Sequence, residues 1–325
     1  MVDPESFEYE EFALLTENID EFDLDVGIPP VERIDVSLPT SPGRHVSALR
    51  WGTSPVEVVF VHGGAQNAHT WDTVALALGR PALAIDLPGH GHSHWRDDGA
   101  YSPTNLADDI AVVVSDLAPD ASVVVGMSLG GLTSMHLAVR HPHLVRSLVM
   151  VDITPGVDGE KAKAIIDFVD GPQEFASFDD LLARTIEHNP TRSESSLRRG
   201  ILHNAAKHPD GSWRWRYDRS SHSRARERAG DDAHADGSGS GEHAGGGGPV
   251  SSGGADPSLW DVFGAVEAPM TLVRGSASPV VDDDDVAEAR RRQPDLDVRV
   301  VDGAGHSVQG DRPVELAAIL DGLLG

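Results

Sequence analysis

Cysteine is absent from all 325 residues, which excludes a disulfide framework, thiolate metal ligation and a cysteine nucleophile. Lysine is nearly absent too. Lys161, Lys163 and Lys207 are the whole complement, and Lys and Arg together number 26 against 52 Asp and Glu. A formal net charge of −26 lacks the basic footprint that nucleic-acid binding needs. It equally opposes docking on anionic membranes. No apolar run approaches the ~20 residues of a membrane span. Met1-Val2-Asp3-Pro4-Glu5 offers neither a basic n-region nor an apolar h-region, so the expected location is the cytoplasm. An acid excess of this size repels itself at low salt. At molar salt the screening length falls to about 3 Å and the repulsion largely vanishes. The acidic, lysine-poor composition thus resembles that of proteins from salt-accumulating halophiles.

What is present is organised around Gly126-Met127-Ser128-Leu129-Gly130-Gly131, which follows the β-branched run Ala121–Val125 and precedes an apolar helical pattern. Strand, tight turn and helix in that order lift a serine hydroxyl to the C-terminal edge of a sheet. There the helix N-terminus favours developing negative charge. Glycine flanks the serine because the turn brings backbone against backbone.

Around this turn the chain alternates strands and helices. Residues 1–27 are acidic, with scattered Phe and Leu, and are expected to form a partly ordered extension. Val31–Val36 and Val46–Trp51 read as an antiparallel hairpin, and Val56–Val61, Ala82–Asp86 and Val145–Asp152 as buried strands. Ser102-Pro103 caps a helix running to Leu117. Apolar strands separated by helices indicate a doubly wound, mostly parallel α/β sheet. Residues 158 to about 217 show helical signals and no strand signals. Positions 219–256 are Gly/Ser-rich and acidic, a composition expected to be disordered. The sheet resumes at Met270–Gly275 and Val298–Asp302, and a helix from Pro313 to Leu324 follows.

A serine hydroxyl needs a base to take its proton and a third group to orient that base. His306 lies in Gly303-Ala304-Gly305-His306, just past the last strand and on the same sheet edge as Ser128. That placement makes it the base.

His62-Gly63-Gly64, Asp86-Leu87-Pro88-Gly89-His90-Gly91-His92-Ser93, the Gly126–Gly131 turn and Gly303–His306 together resemble the α/β-hydrolase superfamily. The resemblance implies a hydrolase core over 28–157 and 259–325, with a helical cap over 158–258 containing the 219–256 insert. It implies an oxyanion hole from the backbone N–H groups of Gly64 and Leu129, and a substrate pocket near His62, Gly63, Trp71 and Met127. It also implies a small-molecule substrate and no cofactor.

The third member departs from the family pattern. No carboxylate occupies Ser276–Val281, where the family usually places its acid. Asp152, at the end of the preceding strand, is the preferred substitute, because the acid must be buried and fixed. Asp282, first of the run Asp282–Asp285, is the alternative, although aspartates also suit a helix start. The competing role for Asp152 is a structural hydrogen bond to the turn Thr154-Pro155-Gly156. Metal binding by His90, His92, His94, Asp86 and Asp97 is not expected, since alternating histidines in an extended segment diverge. Asp282–Asp285 lacks the glycine and glutamate of a calcium loop. Trp213 and Trp215 are expected to pack the cap.

The reading that follows is a serine hydrolase acting on a small carboxylic ester or related acyl bond through an acyl-serine. Carbon–carbon bond hydrolysis, a lyase step resembling that of menaquinone biosynthesis, and a binding protein with little turnover are the alternatives.

Overall fold

The computed structural model describes residues 9–219 and 257–325. Most of the insert expected to be disordered therefore lies outside the described residues. The elements run α1 (Leu15–Glu21), β1 (Val31–Ser37), β2 (His45–Trp51), β3 (Val58–Val61), α2 (Asp72–Leu78), β4 (Ala82–Ile85), α3 (Pro103–Leu117), β5 (Val123–Met127), α4 (Leu129–Arg140) and β6 (Leu148–Val151). Next come α5 (Lys163–Val169), β7 (Glu174–Phe175), α6 (Phe178–His188), α7 (Glu194–Asn204), β8 (Ala205–Lys207) and β9 (Trp213–Trp215). The chain continues through α8 (Pro257–Gly264), β10 (Met270–Gly275), α9 (Asp283–Arg292), β11 (Asp297–Val301), α10 (Val308–Asp311) and α11 (Pro313–Leu324).

Eight strands form one sheet in the order β1-β2-β4-β3-β5-β6-β10-β11. The hairpin β1–β2 and its junction with β4 are antiparallel, and all other pairings are parallel. Strands β3 to β6 are apolar and buried along their whole length, as sheets covered on both faces require. One face packs on Ile110 and Val113 of α3, Met135 of α4 and Phe263 of α8. The other packs on Val74 of α2 and Leu316 and Leu320 of α11. At the start of α3 the Ser102 hydroxyl accepts from the Asn105 N–H at 3.2 Å. Pro103 fills the first helical position, where no N–H is needed.

One expectation changes. Between β6 and β10 the chain is not purely helical: β7, β9 and β8 form a three-stranded antiparallel sheet. Phe178, Leu181, Ile201 and Trp213 form a separate core beside it. Strands of two or three residues are too short for alternation to register. The acidic N-terminal extension is held against the rest of the fold over its described part. Leu14 and Leu15 are fully buried. Glu17 pairs with Arg198, Glu21 with Arg199 and Glu11 with Arg33. Glu17 and Glu21 thus find their partners on α7, 181 and 178 residues away, and Glu11 finds its partner on β1.

Candidate active site

Ser128 connects β5 to α4 at φ 51°, ψ −119°, a conformation that an L-residue holds only under constraint. The constraint is backbone packing. A Cβ on Gly126 would lie 2.4 Å from the Gly130 carbonyl oxygen, and one on Gly130 would lie 2.2 Å from that of Val61. Only glycine permits so close an approach of β5, α4 and β3. Leu129 is the first residue of α4, so its N–H has no intrahelical acceptor.

The loop after β3 lies directly against this turn. A Cβ on Gly63 would sit 3.3 Å from the Ser128 Cβ and 2.5 Å from the Met127 sulfur. Two hydrogen bonds fix the loop on either side of Gly64. The Gly63 N–H donates to Gln66 Oε1 at 3.1 Å, and the Ala65 N–H donates to His90 Nε2 at 3.1 Å. Ala65 adopts φ 56° there. Gln66 and His90 as loop supports were not anticipated from sequence.

Asp152 lies at the end of β6 with no exposed surface. It accepts the Gly275 N–H at 2.9 Å, the Ser278 hydroxyl, and His306 Nδ1–H at 2.8 Å. The Nδ1 proton is thereby fixed, and Nε2 is the ring's free nitrogen. His306 Nε2 is buried without a hydrogen-bond partner among the described residues. No hydrogen bond joins it to Ser128, a looseness common in ligand-free sites. Among the described residues no hydrogen bond joins the Asp152 side chain to the turn Thr154-Pro155-Gly156, where the Gly156 N–H donates to Thr154 Oγ1. Ser278 stands in the segment where the family places its acid, and it reaches back to Asp152.

Asp282 is placed elsewhere. It caps α9, accepting the Asp285 N–H at 2.9 Å, while Asp285 accepts the Asp282 N–H at 3.1 Å. Lys161 Nζ sits 2.9 Å from Asp282 and 2.7 Å from Asp285. The alternative acid is thus committed to a capping box and an ion pair.

A cavity of about 380 Å³ is lined by Gly63, Gly64, Met127, Ser128 and His306 among others. A smaller apolar one of about 80 Å³ adjoins Ser128 and Leu129, walled by Leu132, Ile153 and Tyr217. Two residues expected at the pocket are not there. Trp71 is fully buried and stacks on Phe60 with centroids 4.8 Å apart. Its apolar bulk belongs to the core under α2. His62 is also fully buried, its Nε2 accepting the Leu87 N–H at 2.9 Å and its Nδ1 2.7 Å from the Gly63 carbonyl. Burial lowers its pKa, so the neutral ring serves as a brace. Asp86, ahead of the 90–94 segment, is a hub for Arg33 and for the Ala68 and His92 N–H groups.

Among the described residues, His69, Asp72 and His203 are the group with metal-ligand spacing. They line the main cavity. His69 Nδ1 lies 2.9 Å from Asp72 and its Nε2 3.2 Å from Glu11, while the His203 ring stacks on it at 3.7 Å. Burial opposes charge on His69, but Asp72 and Glu11 outweigh it and raise the pKa to about 9. A metal would have to displace that proton. Burial, then the His69 charge, holds His203 neutral. A raised folded-state pKa stabilises the fold fully below the unfolded value near 6.5, and this stabilisation disappears as pH rises through about 9. The melting temperature should therefore fall between these pH values, and His69→Gln should flatten that slope.

A doubly covered parallel sheet, with a constrained serine after its central strand and an Asp–His pair at the same edge, defines the class of α/β hydrolases. A sequence model described as the alpha/beta hydrolase family matches residues 58–319, and the chain belongs to that family. It is similar to esterase Rv0045c of Mycobacterium tuberculosis, at 43% identity over 97% of this chain and 96% of that one. A solved structure of esterase Rv0045c aligns with a TM-score of 0.76, at 42% identity, covering 98% of this chain and 99% of that one. The 2-(acetamidomethylene)succinate hydrolase of Mesorhizobium japonicum is 29% identical over 82% of this chain and 87% of its own length. Among the described residues, no helix is long and apolar enough to cross a membrane.

Proposed function

We propose that the protein is a serine esterase in which Ser128, His306 and Asp152 form the catalytic triad. The carrying observation is the 2.8 Å contact between His306 Nδ1 and buried Asp152, on the sheet edge that holds Ser128. Ser128 Oγ attacks the ester carbonyl as His306 Nε2 takes its proton. The N–H groups of Leu129 and Gly64 hold the resulting oxyanion. His306 then gives the proton to the leaving alcohol, and water, activated by the same nitrogen, releases the acid. Asp152 keeps the imidazole in the required tautomer and stabilises its charged form. Gly275 and Ser278 keep Asp152 in place.

The segment between β6 and β10 acts as the cap, since α5, α6 and α7 contribute Ile165, Thr185 and Asn204 to the cavity wall. The esterase at 43% identity favours ester hydrolysis over the carbon–carbon and lyase alternatives, which would use the same three residues. The acid excess favours a salt-rich working environment. The test is saturable hydrolysis of 4-nitrophenyl butyrate in molar potassium chloride, with an initial burst of nitrophenol equal to the enzyme concentration wherever deacylation is slower. Rates no higher than buffer would remove the esterase reading.

A further inference from the structure

Three Lys or Arg side chains stand on the wall of the main cavity, Lys161, Arg192 and Arg199, together with the carboxyl groups of Asp72 and Asp311. Two are neutralised, Lys161 by Asp282 and Asp285, and Arg199 by Glu21. Arg192 is not. Its Nε donates to Ser196 Oγ at 3.1 Å, and no carboxylate lies within ion-pairing distance among the described residues. In a chain with twice as many acids as bases, an arginine without an acid is unexpected.

The surrounding charges sharpen the point. Asp311, whose field favours the charged guanidinium, has its Oδ2 taken by the Gly305 N–H at 2.7 Å and the Thr191 hydroxyl at 2.8 Å. Glu21 is occupied by Arg199 and Ser193. Burial lowers the Arg192 pKa against the pull of Asp311, with the Arg199 charge adding to the burden. Arginine nevertheless keeps its proton in proteins, so the half-buried charge persists on the cavity wall, open to an outside partner.

Arg192 lines the same cavity as Ser128 and His306. A Cβ on Gly310 would lie 2.6 Å from Arg192 Nε, so the guanidinium rests on α10, the short helix that follows His306. We propose that Arg192 is the recognition group for a carboxylate on the substrate, and that the preferred substrate is an ester carrying a free carboxylate. A planar carboxylate suits the guanidinium fork. A monoanion adds a single negative charge to the field of Asp311 and Glu21 at Arg192, whereas a phosphate dianion adds two. The inference rests on the esterase reading for its substrate but not for its anion site.

The experiment compares mono-4-nitrophenyl adipate with its neutral methyl ester counterpart, at constant ionic strength. The wild type should prefer the acid. Arg192→Gln should lower the acid-to-neutral ratio of kcat/KM by about tenfold to a hundredfold, chiefly through KM, as loss of a charge-assisted pair implies. Arg192→Lys should restore part of the ratio. An unchanged ratio, or equal loss on both esters, would overturn the proposal. Calorimetric binding of adipate to Ser128→Ala, lost when Arg192→Gln is added, supports the site even if no ester is hydrolysed. Absence of that binding, or tighter binding of inorganic phosphate than of adipate, counts against it.

Discussion

Asp152→Asn is expected to lower kcat on a short-chain nitrophenyl ester by about 10³–10⁴, with the fold retained. The carboxylate accepts three hydrogen bonds at once, from the Gly275 N–H, the Ser278 hydroxyl and His306 Nδ1–H. An amide of the same shape turns one acceptor into a donor. Facing His306 with its nitrogen, it selects the imidazole tautomer whose Nε2 carries the proton and cannot serve as base. Placed at the Oδ1 position instead, it meets the Gly275 N–H donor against donor, and the His306 cation formed during attack still loses its counter-charge. Asp282→Ala gives the contrasting result. That change removes the N-cap of α9 and costs about 1 kcal/mol of stability while leaving kcat unaltered. Steady-state kinetics and a melting curve on both variants separate the roles. Loss of turnover in Asp282→Ala with a normal Asp152→Asn would reverse the assignment.

The second large effect concerns the residues acting as one unit. Ser128→Ala and His306→Ala should each reduce kcat on the order of 10⁵–10⁶, and the double variant should be no slower than either alone. Once the nucleophile is gone, the base has nothing to activate. Residual rate above buffer would come from the oxyanion N–H groups and binding in the cavity. Losses that multiply in the double variant would mean the two side chains serve separate steps.

Much of this arrangement was legible in the residues. The glycines at 126 and 130 announced the backbone approach that β5, α4 and β3 now show, and Val58–Val61 through Leu148–Val151 announced a sheet covered on both faces. Asp152 could be preferred over Asp282 because a strand end buries a carboxylate while a run of aspartates suits a helix start. What was not legible depends on contacts between distant segments. Glu17 and Glu21 sit in an acidic stretch whose sequence does not reveal their partners, Arg198 and Arg199 of α7. Trp71 and His62 follow motifs near the site, yet their side chains turn into the core, which sequence spacing does not report. Ser278 looked like a missing acid rather than a donor to one. Arg192 was one arginine among many until its lack of a partner could be seen.

The central claim is that Ser128 is an activated nucleophile, and covalent trapping tests it most directly. A fluorophosphonate probe should add one equivalent to the intact wild-type protein, with peptide mapping placing the adduct on Ser128. Ser128→Ala should take up none. An unmodified wild type, or equal labelling of Ser128→Ala, would contradict the account.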